Sequence, residues 1–427
     1  MSEFSNEEVD LTNVEIQQCP YDAYKKLREG APVYQDPKTG FFIVTRYEDV
    51  RHVLKDTENY KSSYGASGQK AEGNINSEHV KKGTQLFKEK GWIPAPTLAG
   101  RDDPNHKEMR SIFDQAFRPS KIKELEPNVE NLSYELINAF IDDGFCDWVA
   151  QFSIPLPLKI IGIQMGIEND EDLWKIKKST DAFFHRIGMM LTEEEELETI
   201  EREIEGQHYF QPIFEKLREC PNNTLLSELV NTKIEEWGRT LNDNELHAEM
   251  MADTFVGGSE TTTNALSAGI KLLIEKKDVW DMLKNDPDKY LKVFVEEVLR
   301  LESPVQSLMR NTHKEVELNG VKIPAGSVIN VRYAAANRDE NIFENPEEIN
   351  LERKKAGAHM AFGSGTHHCL GAPLARRELY WGFRAAIDSF DEMWFSEGKN
   401  DFKYHPHYLL RSLKELHIEF SPNSKRK

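Results

Sequence analysis

The chain has 427 residues, of which 39% are hydrophobic, and a formal net charge of −19. Its length suffices for a sizeable core, and its acidic balance argues against nucleic acid and anionic membrane as partners. No run of about 18 apolar residues occurs, which predicts a protein without membrane-spanning helices. Its four widely spaced cysteines, Cys19, Cys146, Cys220 and Cys369, favour a reducing compartment over a disulfide framework, so the predicted location is cytoplasmic.

The first hundred residues predict short helices and strands followed by a long loop. The predicted elements are a helix at 20–28, strands at 33–34 and 41–45 joined by a turn, and a helix at 49–54. Residues 62–100 are rich in Gly, Ser, Lys and Pro, which is typical of a functional loop. Trp92 is an apolar candidate for substrate contact in that loop.

A helix predicted to begin near Asp102 carries His106 and Arg110 one turn apart on one face. Taken alone, that pair is typical of a solvated face. Residues 122–220 are predicted to be mostly helical, and the acidic run at 193–198 indicates a solvated helix face.

The longest predicted helix runs from a capping box at Asn242–Glu245 to about Lys276, roughly 50 Å. Its middle, Val256-Gly257-Gly258-Ser259-Glu260-Thr261, consists largely of poor helix formers, which indicates a functional weakness. The glycines leave room for a flat ligand, and the Thr261 hydroxyl can bond to a carbonyl one turn back. A packing groove lined by small residues is the alternative.

Two neighbouring side chains of this helix are candidates for a pocket wall. Counting back from Thr261 in helical steps places Asp253 on the same side, with Val256 as an apolar neighbour. Asp253 either pairs with a nearby side chain or water, or contacts a polar group of a substrate.

Near the C-terminal end lies Phe362-Gly363-Ser364-Gly365-Thr366-His367-His368-Cys369-Leu370-Gly371, followed by a predicted helix with Pro373 in its first turn. Cys369 therefore lies at a helix N-terminus, which favours a thiolate, and a thiolate on a glycine-rich loop can ligate haem iron. Two alternatives are a buried structural cysteine and a zinc site made by His359, His367, His368 and Cys369. Adjacent His367 and His368 project differently, so one tetrahedral site is awkward to close with both.

The ten-residue stretch closely resembles the haem-binding loop of cytochromes P450, Phe-Gly-x-Gly-x-His-x-Cys-x-Gly. Gly257-Gly258-x-Glu260-Thr261 resembles the oxygen-binding motif of that family, and Glu297-x-x-Arg300 with Arg353 resembles its buried structural Glu-Arg-Arg network. The resemblance covers residues 20–420.

The resemblance implies the cytochrome P450 fold, mainly α with a small β-rich region (α+β), as one domain over 1–427. We expect a β-containing N-terminal part at about 20–65, a helical body at about 102–390 and a C-terminal β segment at about 400–420. A long central helix would lie over a buried haem.

The resemblance also implies roles for individual residues. Cys369 would ligate the iron of haem b, and Thr261 and Glu260 would serve oxygen activation and proton delivery. The haem would be held by the loop residues Phe362, Gly363, Gly365 and Gly371, by the helix glycines Gly257 and Gly258, and through its propionates by His106, Arg110, Arg310 and His367. Further substrate contacts are expected from Val305, Gln306 and Leu409.

By the same resemblance, the chain is expected to be a monooxygenase that hydroxylates a small organic substrate with dioxygen and electrons from a ferredoxin and its reductase. Asp253, Gln306 and His185 hint at a polar substrate, so oxidative O-demethylation of a methyl ether such as a methylated sugar is an alternative. Use of hydrogen peroxide would not need Glu260 and Thr261. An alternative of another class is a haem-based gas sensor or carrier.

Overall fold

The structure, a computed structural model, describes residues 5–62 and 78–424. In these ranges the α-helices are, in chain order, α1 Val14–Gln18, α2 Tyr21–Gly30, α3 Tyr47–Lys55, α4 Glu78–Lys90, α5 Asn105–Ala116, α6 Pro119–Asn138, α7 Pro155–Met165, α8 Asp170–Ile187, α9 Glu193–Glu219, α10 Leu225–Asn231, α11 Asp243–Glu249, α12 Thr261–Glu275, α13 Lys277–Asn285, α14 Pro287–Glu302, α15 Tyr333–Ala336 and α16 Ala372–Ser389. The strands are β1 Val33–Gln35, β2 Phe42–Val44, β3 Tyr60–Lys61, β4 Phe145–Asp147, β5 Leu308–Thr312, β6 Val316–Leu318, β7 Val321–Ile323, β8 Val328–Val331, β9 Phe390–Phe395 and β10 His417–Pro422. The mainly helical α+β class is confirmed.

The largest sheet joins strands near the N-terminus to strands at 308–331. Its order is β1-β2-β8-β5-β3, and β2 and β8 pair in parallel, with Phe42 opposite Ile329. The predicted N-terminal strands and helices are confirmed, but their sheet is completed by strands from 308–331, inside the expected helical body. Parallel pairing needs a long crossover, and here it spans most of the chain.

A second sheet, in the order β4-β10-β9, contains the predicted closing strand near 416–420 as β10. Its neighbour β4 also comes from the expected helical body, whereas β9 begins where that body was expected to end. A two-stranded hairpin, β6-β7, is separate. No helix among the described residues is long and apolar enough to cross a bilayer.

Part of the loop expected at 62–100 falls outside the described residues. In the rest of it, the structure contains the 13-residue helix α4, which the weak apolar periodicity did not reveal. A short 3₁₀ turn, Leu98–Gly100, then precedes α5.

The long helix predicted from 242 to about 276 is present. The capping box between Asn242 and Glu245 starts it, and α11 continues through a wide π-helical segment, Met250–Glu260, directly into α12. We call Asp243–Glu275 the central helix. The widened segment coincides with the poor helix formers, which is where π-bulges at functional sites are found.

Candidate active site

A cavity of about 310 Å³ lies between the central helix and the Cys369 loop. Its walls are mostly apolar, and they come from α5, the central helix, the segment before β5, and the loop and helix around Cys369. This volume is in the range of small-molecule sites.

The Cys369 loop is shaped by two left-handed glycines. Gly363 and Gly365 have φ of +68° and +73°, a region that favours glycine. The Cys369 amide donates to the Phe362 carbonyl at 2.9 Å, which closes the loop just before α16. The Cys369 side chain therefore lines the cavity.

The thiol of Cys369 is subject to opposing influences. Burial raises its pKa, while hydrogen bonds from the backbone amides of Gly371 and Ala372 and the charges of Arg110 and Arg376 lower it. The helix N-terminus acts in the expected direction, but burial outweighs it. A thiolate at this position therefore needs a further cation, and a coordinated metal ion deprotonates a thiol outright.

Four cationic or hydrogen-bonding side chains line the same cavity: His106, Arg110, Arg310 and His367. The rings of His106 and His367 are 4.1 Å apart, and His367 Nε2 is 3.1 Å from the Ser62 hydroxyl. Burial, reinforced by Arg310, His106 and Arg110, lowers the pKa of His367 to about 3.

Arg310 is 5% exposed, its guanidinium donates to the Met309 carbonyl at 2.7 Å, and no carboxylate in the described part of the chain pairs with it. A buried guanidinium without an anionic partner is costly, so this end of the cavity is complementary to anionic groups. Gly371 lies beside the sulfur, since a Cβ at this position would be in van der Waals contact with Cys369 Sγ at 3.9 Å. These features fit a flat, anionic group that presents a metal to Cys369.

The opposite wall is the widened part of the central helix. Gly257, Gly258 and Thr261 line the cavity. Thr261 Oγ1 donates to the Gly257 carbonyl at 3.1 Å, which confirms the predicted bond one turn back. Gly257 is exposed toward the cavity.

Glu260 does not line the cavity. Its carboxylate lies 3.0 Å from Lys177 Nζ of α8, and Lys177 also contacts Asp181, which is half-exposed. Burial raises the pKa of Glu260, and the neighbouring Lys177 opposes that rise. Three ionisable side chains in contact thus lead from the half-exposed Asp181 through Lys177 to Glu260, the residue before Thr261.

Of the residues suggested for substrate contact, Asp253 and Val305 line the cavity. Asp253 is already engaged, since its Oδ2 accepts from the Ala99 amide at 2.8 Å. Val256 and Leu409 instead pack into an apolar cluster with Phe184. Neither residue is among those that line the cavity.

Three further substrate candidates lie away from this cavity. Gln306 bonds to the Tyr24 hydroxyl at 3.0 Å and to the Ser303 carbonyl at 2.7 Å. Trp92 packs on His247 with ring centroids 4.3 Å apart, and His185 lies 5.2 Å from the ring of His405. Their polar and aromatic groups are used in packing between elements.

The structure shows the contacts of two further predictions, the loop residue Gly365 and the network of Glu297 with two arginines. Gly365 backs onto α3, where a Cβ would lie 2.7 Å from the Leu54 carbonyl oxygen. Glu297 receives Arg300 Nε at 2.7 Å and Arg353 Nε at 2.9 Å, and the three side chains are buried.

The structure does not support the alternative of a zinc site at His359, His367, His368 and Cys369. Among the described residues, no group of three or more His, Cys, Asp or Glu side chains is placed to hold a metal ion. His359 Nε2 lies 3.0 Å from the Glu296 carboxylate instead.

Sequence reasoning missed two buried carboxyls. Glu378 of α16 lines the cavity. Glu249 of the central helix accepts a hydrogen bond from the backbone amide of Leu98, which also lines the cavity. The spacing of Glu245, Glu249 and Asp253, four residues each, was a readable signal for one helix face. Glu378 had no such signal, because its partner Thr262 is distant in sequence.

The chain also resembles known proteins. The family model described as Cytochrome P450 matches residues 170–419. Cytochrome P450(BM-1) of Priestia megaterium is 30% identical over 91% of this chain and 90% of its own length, and a steroid C26-monooxygenase of Mycobacterium tuberculosis is 27% identical over 94% of each. A crystal structure of a Bacillus megaterium cytochrome P450 in complex with corticosterone has a TM-score of 0.77 and 30% identity, covering 95% of this chain and 99% of that one.

Proposed function

This chain belongs to the cytochrome P450 family and is a monooxygenase with a haem-thiolate centre, and from that premise we propose that it hydroxylates an apolar organic substrate at haem b. One observation carries the proposal. The Cys369 side chain, the open face at Gly257 and the four groups His106, Arg110, Arg310 and His367 all line one cavity.

The haem would be bound from three sides. Cys369 would ligate the iron, Arg310 with His106, Arg110 and His367 would hold the propionates, and Phe362, Gly363, Gly371, Gly257 and Gly258 would contact the ring. Gly365 would support the loop from behind through its packing on α3. When bound, the haem supplies the activation of dioxygen.

Side chains of the protein itself would deliver protons to the cavity. Thr261 presents its hydroxyl at the cavity wall, held by the Gly257 carbonyl. Glu260 would pass protons from Asp181 and Lys177 toward Thr261, since these ionisable groups are in contact and Asp181 is half-exposed.

An apolar skeleton is favoured as the substrate over a methylated sugar. The cavity walls are mostly apolar, Val305 contributes to them, and the Asp253 carboxylate is occupied by the chain's own backbone. The polar residues Gln306 and His185, which suggested O-demethylation, lie elsewhere. Related proteins are named for steroid oxidation or are crystallised with a steroid, so steroids are suitable first probes. No observation favours a gas sensor or carrier.

A ferredoxin and its reductase are the proposed electron donors, and the cytoplasm the proposed compartment. Lys107 is exposed on α5, the helix whose Arg110 donates to the Thr366 and His368 carbonyls of the Cys369 loop. Arg376 and Arg377 on α16 pair with Glu296 and Glu126, so they add little free positive charge to a docking face on this side.

The experiment is a carbon monoxide spectrum of the reduced, haem-loaded protein, followed by turnover with a ferredoxin system. We expect a thiolate-type spectrum that becomes imidazole-type or is lost in Cys369→His. We also expect an apolar probe to gain one oxygen, whereas a methylated sugar should keep its methyl group.

Cys220→Ser is the matched control, because Cys220 is an exposed free cysteine at the end of α9. It should leave the spectrum unchanged. An imidazole-type spectrum in the parent protein would contradict the ligand assignment, and demethylation of the sugar would contradict the substrate class.

A further inference from the structure

Three carboxyls on one face of the central helix are spaced four residues apart: Glu245, Glu249 and Asp253. All three contact the segment Thr97–Arg101, and we call them the carboxyl ladder. Glu245 Oε1 binds Arg101 at 3.0 Å. The ladder is not explained by haem binding or by oxygen activation.

Two members of the carboxyl ladder, Glu249 and Asp253, accept hydrogen bonds from backbone amides. Leu98 N donates to Glu249 Oε1 at 2.6 Å, and Ala99 N donates to Asp253 Oδ2 at 2.8 Å. The Thr97 hydroxyl also bonds to Asp253. Consecutive amides are thus held by side chains of another element instead of by regular secondary structure, and buried amides require such partners.

The held segment is part of the cavity wall. Leu98 and Ala99 both line the cavity that contains Cys369. Upstream, the backbone of Trp92 is bound in the same manner, with both its N–H and its carbonyl paired to Gln207 of α9 at 2.9 Å. Side chains of α9 and of the central helix therefore hold the backbone of residues 92–101 at several points.

Burying the carboxyl groups of Glu249 and Asp253 carries a desolvation cost. Glu249 is completely buried, and its Oε2 has no hydrogen-bond partner among the described residues. Burial and the neighbouring Asp253 raise its pKa well above the ordinary value, and burial raises that of Asp253. An apolar side chain at either site would avoid that desolvation, so the carboxyls are explained by what they bind.

We propose that Glu249 and Asp253 are positioning residues for substrate selection: they hold Leu98 and Ala99 at the depth in the cavity where these contact the substrate. This inference rests on the proposed function for the presence of haem and substrate, but it reassigns Asp253. Its carboxylate shapes the wall through the backbone and does not bind the substrate itself.

The test uses the haem-loaded protein and two probes that bind at the iron, imidazole and the larger 4-phenylimidazole. Both probes would bind through the same azole ring, and the added phenyl group of 4-phenylimidazole would contact more of the cavity wall. Glu249→Met and Asp253→Ala remove the acceptors, while Glu249→Gln and Asp253→Asn keep an oxygen acceptor without the charge. Asp243→Ala, at the start of the same helix, is the matched control, since Asp243 contacts α9 residues.

We expect Glu249→Met and Asp253→Ala to change the affinity for 4-phenylimidazole relative to imidazole by about fivefold, and to speed hydrogen exchange at Leu98 and Ala99 by about tenfold. Glu249→Gln, Asp253→Asn and Asp243→Ala should retain the parent values. Thr97→Val, which leaves the helix intact, should give a smaller change in the same direction and serves if a helix variant does not fold.

Unchanged exchange at Leu98 and Ala99 in the acceptor-free variants and in Thr97→Val would overturn the proposal. Equal effects of Asp253→Asn and Asp253→Ala would also overturn it, because they would assign the carboxylate charge a direct contact with the probe. If neither azole perturbs the spectrum of the parent protein, the haem assignment fails, and that result is separate from the exchange measurement.

Discussion

At the scale of single residues, burial governs the chemistry of Glu378, a carboxyl on α16 at the inner wall of the cavity. Burial raises its pKa from 4.5 to about 8, and the hydrogen bond from the Thr262 hydroxyl opposes that rise. The folded protein therefore holds this proton more tightly than the unfolded chain does. Stability linked to this group is greatest below about pH 4.5 and falls as the pH rises toward 8.

We predict that Glu378→Gln removes this pH dependence. Between pH 5 and 8, the parent protein should lose stability relative to the variant, with a slope of up to about 1.4 kcal/mol per pH unit. Urea unfolding of both haem-loaded proteins across that range measures the difference. A constant difference at every pH would show that Glu378 is already ionised in the folded protein.

At the scale of elements, the Cys369 loop depends on close contact with the end of α3. Gly365 combines a left-handed φ with a position where a Cβ would lie 2.7 Å from the Leu54 carbonyl oxygen. Gly398, on the loop between β9 and β10, has a similar φ of +69°, but nothing lies within 4 Å of its Cβ position. The two glycines separate backbone strain from crowding.

We predict that Gly365→Ala lowers both haem retention and the unfolding midpoint, whereas Gly398→Ala shows only the strain of a left-handed alanine, roughly 1 kcal/mol. The additional loss in Gly365→Ala arises because the loop must move away from α3, which displaces Cys369. Haem absorbance per protein and thermal unfolding report the two effects. Similar behaviour of the two variants would mean that the loop tolerates the displacement.

At the scale of the whole molecule, a buried ionic cluster joins α14 to the chain that leads toward the Cys369 loop. Glu297 accepts hydrogen bonds from Arg300, Arg353 and the Asn350 amide, and Arg300 also donates to the carbonyls of Asn337 and Pro346. Glu297 and Arg300 are 0% exposed. Removing one member strands charges that water cannot reach.

We predict that Arg353→Met destabilises the protein by about 3 kcal/mol, because Glu297 loses a partner while the cluster stays buried. Lys175→Met, which breaks an exposed pair with Glu171 on α8, is the matched control and should change stability little. Urea unfolding measures both variants. Equal, small effects would mean that the cluster relaxes or admits water.

The sequence by itself determined the chemistry of the molecule where that chemistry depends on neighbouring residues. The capping box at Asn242 and the bond from Thr261 to Gly257 follow from local spacing, because helix geometry relates residues three to five apart. The loop that ends in Cys369 follows from its own glycines, which adopt a left-handed φ there. A motif of this kind needs no knowledge of the rest of the chain.

Only the tertiary structure decided which side chains face the cavity. Gln306, His185 and Trp92 have suitable chemistry but are used in contacts between elements, and Asp253 is bound by an amide 154 residues earlier in the chain. The pairing of β2 with β8 is of the same kind. Such contacts depend on how packed elements orient their side chains, and no local pattern encodes that orientation.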